Sequence, residues 1–303
     1  MFSKLIAFLR LSRPFFLLGG IVLYALGAFI ARYEGVLIDW RRYALGQFLV
    51  TGLQLMTHYL NEYWDVGADR LNRARTFFSG GSGVLPAGAL SRETALAAAL
   101  IGLAVSGVIF VLLLTQYRLA PIVWIILALA FVGAFFYSTP PLALAGTGFG
   151  ELTASLVVAG LVPAFAQAVQ TGQVSALTLV TTAPLIAFCY AMLLAFEMPD
   201  FLSDEAAGKR TVLVRLGRRR GMTLHNIVLL LGVGLVLWGL LFGLPPRVAY
   251  WLIVATPLVA WQFISVRRLQ QGEPISFSIL TFGAVTLFGL SAYLLMMGYW
   301  NME

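Results

Sequence analysis

Two stretches of this 303-residue chain carry oxygen-bearing side chains at four-residue steps. In NEYWDVGADRLNRARTFFSGGSGVLPAG, Asn61, Asp65 and Asp69 follow one another at that interval. In EMPDFLSDEAAGKRTVLVRLG, Asp200 and Asp204 repeat it, with Glu197 one turn earlier. Steps of four stack side chains on one helix face, so each stretch presents a small oxygen array. Mg²⁺ suits such arrays, because it takes oxygen ligands, keeps several waters and is commonly shared between one or two carboxylates and substrate phosphates. Two arrays together suit two or more metal ions around a diphosphate. Arg70, Arg73 and Arg75 follow the first array, and Lys209 and Arg210 the second, as further partners for phosphate oxygens. Metals and cations together stabilise charge on a departing diphosphate, the step that makes an allylic carbon electrophilic.

The elements that must position these groups are membrane helices. Sixty per cent of the residues are hydrophobic and 11% charged, with a mean hydropathy of +0.89. Apolar runs of roughly 17 to 25 residues span a bilayer, and backbone surrounded by lipid must satisfy its hydrogen bonds as helix or closed barrel. Short alternating strands are not seen, so the expectation is an all-α, polytopic helical bundle of about nine spans, treated as one domain over 1–303. The spans are placed near 15–33, 44–64, 94–114, 119–137, 148–170, 176–199, 222–243, 248–264 and 276–299. The first is too long for a signal-peptide core and reads as a retained helix.

Counting Lys and Arg by side gives fifteen on the face that holds the N-terminus. The other face holds five: Arg32, Arg41, Arg42, Arg118 and Arg247. Cytoplasmic loops are the positively enriched ones, which places the N-terminus and both acidic loops in the cytoplasm. The same count accounts for the net charge of +7 without nucleic acid, since the basic residues sit in short loops. The acidic loops, about 65–93 and 200–221, follow the second and sixth spans. That pattern reads as an internal repeat. A lone DxxxD reads as solvated helix-end charge, but two matched copies on one membrane face do not, because ionisable groups beside hydrocarbon are costly. Cys189, the only cysteine, reads as a small buried hydrophobe and excludes an intrachain disulfide.

These residues resemble the UbiA superfamily of membrane prenyltransferases. The first loop is similar to its NDxxDxxxD signature followed by Arg75-Thr76 and Gly88-Ala89-Leu90-Ser91. The second is similar to its DxxxD signature followed by the Gly208–Thr211 and Val214–Gly217 elements. Tyr137-Ser138-Thr139-Pro140-Pro141 and Gly148–Glu151 resemble a further family stretch. The resemblance implies a bundle around a central cavity capped by the aspartates, with lipid-like substrate entering from the side. It implies that Asn61, Asp65, Asp69, Asp200 and Asp204 hold Mg²⁺ and diphosphate, with Arg75, Lys209 and Arg210 as diphosphate contacts and Tyr137 and Ser138 near the prenyl cation or acceptor. The substrates would be a polyprenyl diphosphate and an aromatic acceptor. The Gly80–Pro86 run is most similar to the branch that prenylates 1,4-dihydroxy-2-naphthoate, for which the family implies loss of the ring carboxylate as CO₂. Two departures stand out: Glu62 replaces an Asp, and Leu142–Gly146 lacks a basic residue that many members carry.

Other readings weigh less. An ion-coupled carrier also has repeated halves, but carriers place ionisable residues near the bilayer midplane, not at helix ends beside cations. A CDP-alcohol phosphotransferase needs a DG-x-x-AR element that is absent. The same fold also accommodates 4-hydroxybenzoate, homogentisate, glyceryl-lipid or tetrapyrrole acceptors. His58 reads as a hydrogen-bonded helix histidine and His225 as interfacial. Arg218-Arg219-Arg220 reads as a topology signal. The glycine run reads equally as a tight turn or as a floor under the diphosphate.

Overall fold

In lipid a backbone N–H or C=O has no water to bond, so each apolar run closes its hydrogen bonds internally and the chain becomes a series of helices. The computed structural model describes residues 2–302. Its principal helices are α1 (Phe2–Leu11), α2 (Pro14–Tyr33), α3 (Trp40–Leu71), α4 (Arg92–Gln116), α5 (Pro121–Phe135), α6 (Gly150–Thr171), α7 (Ala176–Ala206), α8 (Val212–Leu216), α9 (Arg218–Leu241), α10 (Pro246–Gln270) and α11 (Phe277–Trp300). No strand occurs among the described residues, and the protein is an all-α membrane bundle.

Every expected span coincides with a helix, but seven of the described helices are long and apolar enough to cross a membrane. The helix α5 has only 15 residues, and α3 carries polar residues at both ends. The short α1 is an element the hydropathy pattern does not anticipate; it places Arg10 and Arg13 beside the first acidic loop. Outward faces of α4 and α9 leave Ile101, Val108, Leu237 and Leu241 exposed, as lipid-facing surfaces require.

The helix ends are set by residues the local sequence supplies. Asp39 caps α3 by accepting from the Arg41 and Arg42 amides, Ser91 caps α4 through Thr94 N–H, and Ser175 caps α7 through Thr178 N–H. These side-chain oxygens satisfy amides that a helix start leaves open. Between helices, small residues let backbones approach, since in lipid it is close contact and not apolar burial that drives association. Gly27 of α2 shows this: a Cβ there would strike the Pro163 carbonyl of α6.

The helix α2 packs on α6 and α11, α7 on α9 and α11, α3 on α4, and α5 on α3 and α6. Two helices are unusually long, α3 with 32 residues and α7 with 31. At ~1.5 Å per residue each exceeds the roughly 30 Å hydrocarbon core by several turns. Each ends in one of the acidic arrays. In α7, Pro199 lies inside the helix one residue before Asp200 and withholds one backbone donor there. In α6, residues Leu156–Leu161 widen into a π-helical stretch; Val157, Val158 and Leu161 of that stretch all line the cavity described below.

Candidate active site

A cavity of about 310 Å³ opens between α3, α5, α6 and α7. Its polar end is walled by Asn61, Asp65 and Asp69 from α3, Asp200 and Asp204 from α7, and Lys209 from the loop that follows. Its other end is apolar, with Leu53, Leu127, Val158, Leu161, Phe165 and Leu193 among the lining groups. The two arrays, 135 residues apart from Asp65 to Asp200 by number, therefore face one space.

Lys209 joins them. Its Nζ lies 3.0 Å from Asp65 Oδ1 and 3.7 Å from Asp204 Oδ1. Burial lowers the pKa of this ammonium, but the negative charges of Asp65 and Asp204 outweigh burial and hold it above its ordinary value. Asn72 makes a second bridge, donating from Nδ2 to Asp200 Oδ1 at 2.7 Å. Asn61 Nδ2 donates to Asp65 Oδ2 at 2.6 Å and to Ser138 Oγ at 3.0 Å. At the last turn of α3, beyond the expected span, burial and then the like charge of Asp65 push the Asp69 carboxyl up to about 7.

Among the described residues no three His, Cys, Asp or Glu side chains are drawn together at metal-ligating spacing. The donor chemistry nonetheless fits a hard cation. The array is all oxygen, its crowding penalises ionised Asp69, and a protein ammonium already sits between Asp65 and Asp204. Positive charge is what the array lacks.

Not every expected site residue lines the cavity. Arg75 turns back on its own loop, donating from Nε to the Gly80 carbonyl and from Nη2 to the Asp69 carbonyl, each at 2.6 Å. It holds the glycine run against the end of α3. Arg210 is exposed, and its backbone N–H donates to Gly146 O at 2.8 Å. Tyr137 lines the cavity. Ser138 is buried and reaches it through Asn61. Of the other basic residues in the first loop, Arg70 and Arg73 are exposed.

The glycine run is a tight turn that also borders the cavity. Gly80, Gly81 and Gly83 have φ of 76°, 72° and 74°, a left-handed backbone that glycine adopts without cost. Gly80 and Gly81 also line the polar end, and a Cβ on Gly81 would strike Asp69 Oδ2. Gly81→Ala is therefore expected to displace Asp69 and add about 1 kcal/mol of backbone strain. The check is Mg²⁺-dependent retention of labelled geranylgeranyl diphosphate, which should fall by about tenfold or more while the chain stays folded.

Several cavity residues carry no signal in the sequence. Arg13, counted above as a topology charge, lines the cavity and pairs with Glu62, which is fully buried. The Arg-Pro step, with Arg13 in a left-handed conformation before α2, gives little hint of this. Glu62 accepts from Ser82 N–H and Ser82 Oγ, each at 2.7 Å, so the departure from the family's Asp lets a longer arm reach the glycine run. Phe16, Phe78 and Phe196 line the cavity, with Phe16 edge-on to Phe78 at 6.0 Å and to Phe196 at 6.1 Å. Many Phe residues occupy similar apolar runs, so nothing in the sequence separates these three from the rest. Glu151 and Thr211 also line the cavity and are buried. His58 forms the expected hydrogen bond, Nδ1 to Ser12 O at 3.1 Å. His225 departs from its interfacial reading: it is completely buried, with Nδ1 on Asn226 Oδ1, because α9 packs on α7 and α10, where Asn226 Nδ2 donates to Phe263 O at 3.2 Å. Cys189 is free and buried.

Known proteins resemble this chain in sequence and fold. Over 237 residues the chain is 26% identical to the 1,4-dihydroxy-2-naphthoate octaprenyltransferase of Bacillus subtilis (strain 168), covering 76% of this chain and 73% of that one. A UbiA homologue from Archaeoglobus fulgidus, solved with GPP and Mg²⁺, shares the fold with a TM-score of 0.68 at 18% identity, covering 98% of this chain and 99% of the other. A digeranylgeranylglyceryl phosphate synthase structure matches with a TM-score of 0.66 at 15% identity, covering 98% of each chain. The description of the UbiA prenyltransferase family matches residues 21–285. A match of that extent sets the carrier and phosphotransferase readings aside: the chain is a prenyltransferase and belongs to the UbiA prenyltransferase family.

Proposed function

We propose that this enzyme transfers a polyprenyl group from an isoprenoid diphosphate to an aromatic acceptor, with Mg²⁺ at the aspartate end and 1,4-dihydroxy-2-naphthoate as the preferred acceptor. The observation that carries the reading is one cavity with an oxygen-rich, lysine-bearing end continuous with an apolar interior. Only an amphiphile matches both ends, and a prenyl diphosphate is one. The naphthoate preference rests on the similarity to the Bacillus subtilis enzyme.

Asn61, Asp65, Asp69, Asp200 and Asp204 would hold Mg²⁺, which supplies positive charge to the diphosphate oxygens when bound. Lys209, poised between Asp65 and Asp204, donates to the diphosphate and takes up part of its growing charge as the C–O bond breaks. Arg75 keeps the glycine run closed over Asp69. Phe16, Phe78 and Phe196 offer π faces to the allylic cation, and the apolar interior excludes water that would quench it. The N-terminus lies at the same end as the arrays, since Arg10 donates to Ser82 O at 3.2 Å. The Lys and Arg distribution puts that end in the cytoplasm.

The test uses protein reconstituted in lipid with labelled geranylgeranyl diphosphate, Mg²⁺ and a panel of acceptors. A prenylated naphthoquinol precursor that disappears with EDTA is the expected product. Transfer to a glyceryl lipid or tetrapyrrole, with none to aromatic acids, would overturn the acceptor assignment.

A further inference from the structure

A second cavity, of about 470 Å³, opens where α9 and α11 begin and α10 ends. It lies at the end of the bundle that holds the arrays: Phe277 at its edge is one helix turn before Thr281, whose Oγ1 is 3.1 Å from Thr76 Oγ1 of the first acidic loop. One wall is apolar, made by Met222 of α9, Leu269 of α10, and Ile275 and Phe277 at the approach to α11. Arg218 and Arg219 of α9 complete the lining. Gln270 Nε2 donates to the Arg219 carbonyl at 3.0 Å and to Thr223 Oγ1 at 2.7 Å, which stitches α9 to the end of α10 and fixes the arginines at the rim.

The acid in this cavity does not answer its arginines. Glu273 lines it, but Arg268 holds that carboxylate at 2.6 Å, and neither Arg218 nor Arg219 forms a salt bridge among the described residues. The Arg218 guanidinium lies over the Phe277 ring, 5.9 Å from its centroid, against the apolar wall. Arg218, Arg219 and Arg220 follow one another in the first turn of α9, where the helix dipole already disfavours cations. Orientation in the membrane asks only for positive charge on the correct side and needs no cavity. Beside this one the surface is lipid-facing, with Ile264 of α10 and Ile279 of α11 exposed. A matching ligand is therefore anionic at one end, apolar at the other and supplied by the bilayer. A water-soluble anion leaves the apolar wall unmatched, and a zwitterionic headgroup brings a cation of its own to the arginines.

We infer that this cavity binds the headgroup of an anionic phospholipid, with the phosphate at Arg218 and Arg219 and the glycerol and first acyl carbons along Met222, Leu269, Ile275 and Phe277. Guanidinium forks suit phosphate oxygens, which they meet with paired, charge-assisted hydrogen bonds. Basic pockets between membrane helices recognise acidic headgroups in this way. The site is separate from the prenyl-transfer cavity, whose lining shares none of these residues. A lipid seated here bridges the start of α9 to the segment that leads into α11.

The test titrates the full-length protein, in a neutral detergent, with phosphatidylglycerol and with phosphatidylcholine of the same acyl chains, and counts bound lipid by native mass spectrometry. The unsubstituted protein, free of folding effects, should hold phosphatidylglycerol about tenfold more tightly than phosphatidylcholine. Arg218→Gln with Arg219→Gln should weaken phosphatidylglycerol binding by about tenfold or more and abolish the preference. Arg220→Gln, one residue further on and outside the cavity lining, should leave it within about twofold. Equal retention of the two lipids by the unsubstituted protein overturns the site. A loss in Arg220→Gln as large as in the double variant also overturns it, by making the three arginines a diffuse surface charge. Displacement of phosphatidylglycerol by an equal concentration of inorganic phosphate overturns the lipid assignment in favour of a free phosphate. Loss of Mg²⁺-dependent retention of labelled geranylgeranyl diphosphate in the folded double variant overturns it as well, by making the arginines part of the donor site.

Discussion

Asp65→Asn is expected to lower Mg²⁺-dependent prenyl transfer at least about a hundredfold, in line with the loss of a charge-stabilising group at a preorganised site. Asp65 is the junction of the polar end. It accepts from Asn61 at 2.6 Å and from Lys209 at 3.0 Å, and Lys209 reaches on to Asp204. Asparagine keeps the size and one acceptor oxygen but removes the charge that holds the ammonium and would hold the metal. The change sits at a partly exposed position, so the bundle should persist. Retention of labelled geranylgeranyl diphosphate should fall with activity and respond weakly to added Mg²⁺. Activity within about threefold of the unsubstituted enzyme, roughly 0.6 kcal/mol by the usual rate conversion, would remove Asp65 from the metal site.

Glu62→Leu is expected to be the most destabilising single change in the site region, by about 3–5 kcal/mol, because breaking a buried pair from one side leaves the other charge uncompensated. Glu62 is fully buried and binds the Arg13 guanidinium, Ser82 N–H and Ser82 Oγ. Leucine strands Arg13 beside the cavity and releases the glycine run from α3. Replacing both partners is much milder, since two apolar groups of similar volume replace a desolvated pair. Arg13→Met with Glu62→Leu should therefore recover most of the thermal unfolding temperature lost in Glu62→Leu, without recovering activity, because the Ser82 contacts stay broken. A double variant no more stable than Glu62→Leu would show that Ser82, and not Arg13, is the partner that matters.

The chemistry of this chain is legible through spacing. Steps of four in Asn61, Asp65 and Asp69, and in Asp200 and Asp204, stand out in the order of the residues alone, because a helix converts that interval into a shared face. The helices themselves are equally legible, since lipid leaves an apolar run few alternatives. Spanning capacity is less legible at α3 and α5, where polar ends and a short helix blur the hydropathy signal. The arginines are hardest to read. In sequence Arg75 and Arg210 follow the acidic arrays and Arg13 lies 48 residues before Asn61; in the fold Arg13 lines the cavity, Arg75 clasps the glycine run and Arg210 faces solvent.

By itself, then, the sequence determined the solvent of the chain, its helical class, the two oxygen arrays and the family they resemble, because each depends on local composition or on intervals within one helix. Tertiary structure decided what no local interval contains. It brought α3 and α7 to one cavity and set Lys209 between their carboxylates. It tied Asn72 to Asp200 across the site and buried Glu151 and Glu197 within hydrogen-bonding reach of each other. Those pairings join residues distant in the chain, and which partners meet depends on how whole helices pack, a property of every contact surface at once.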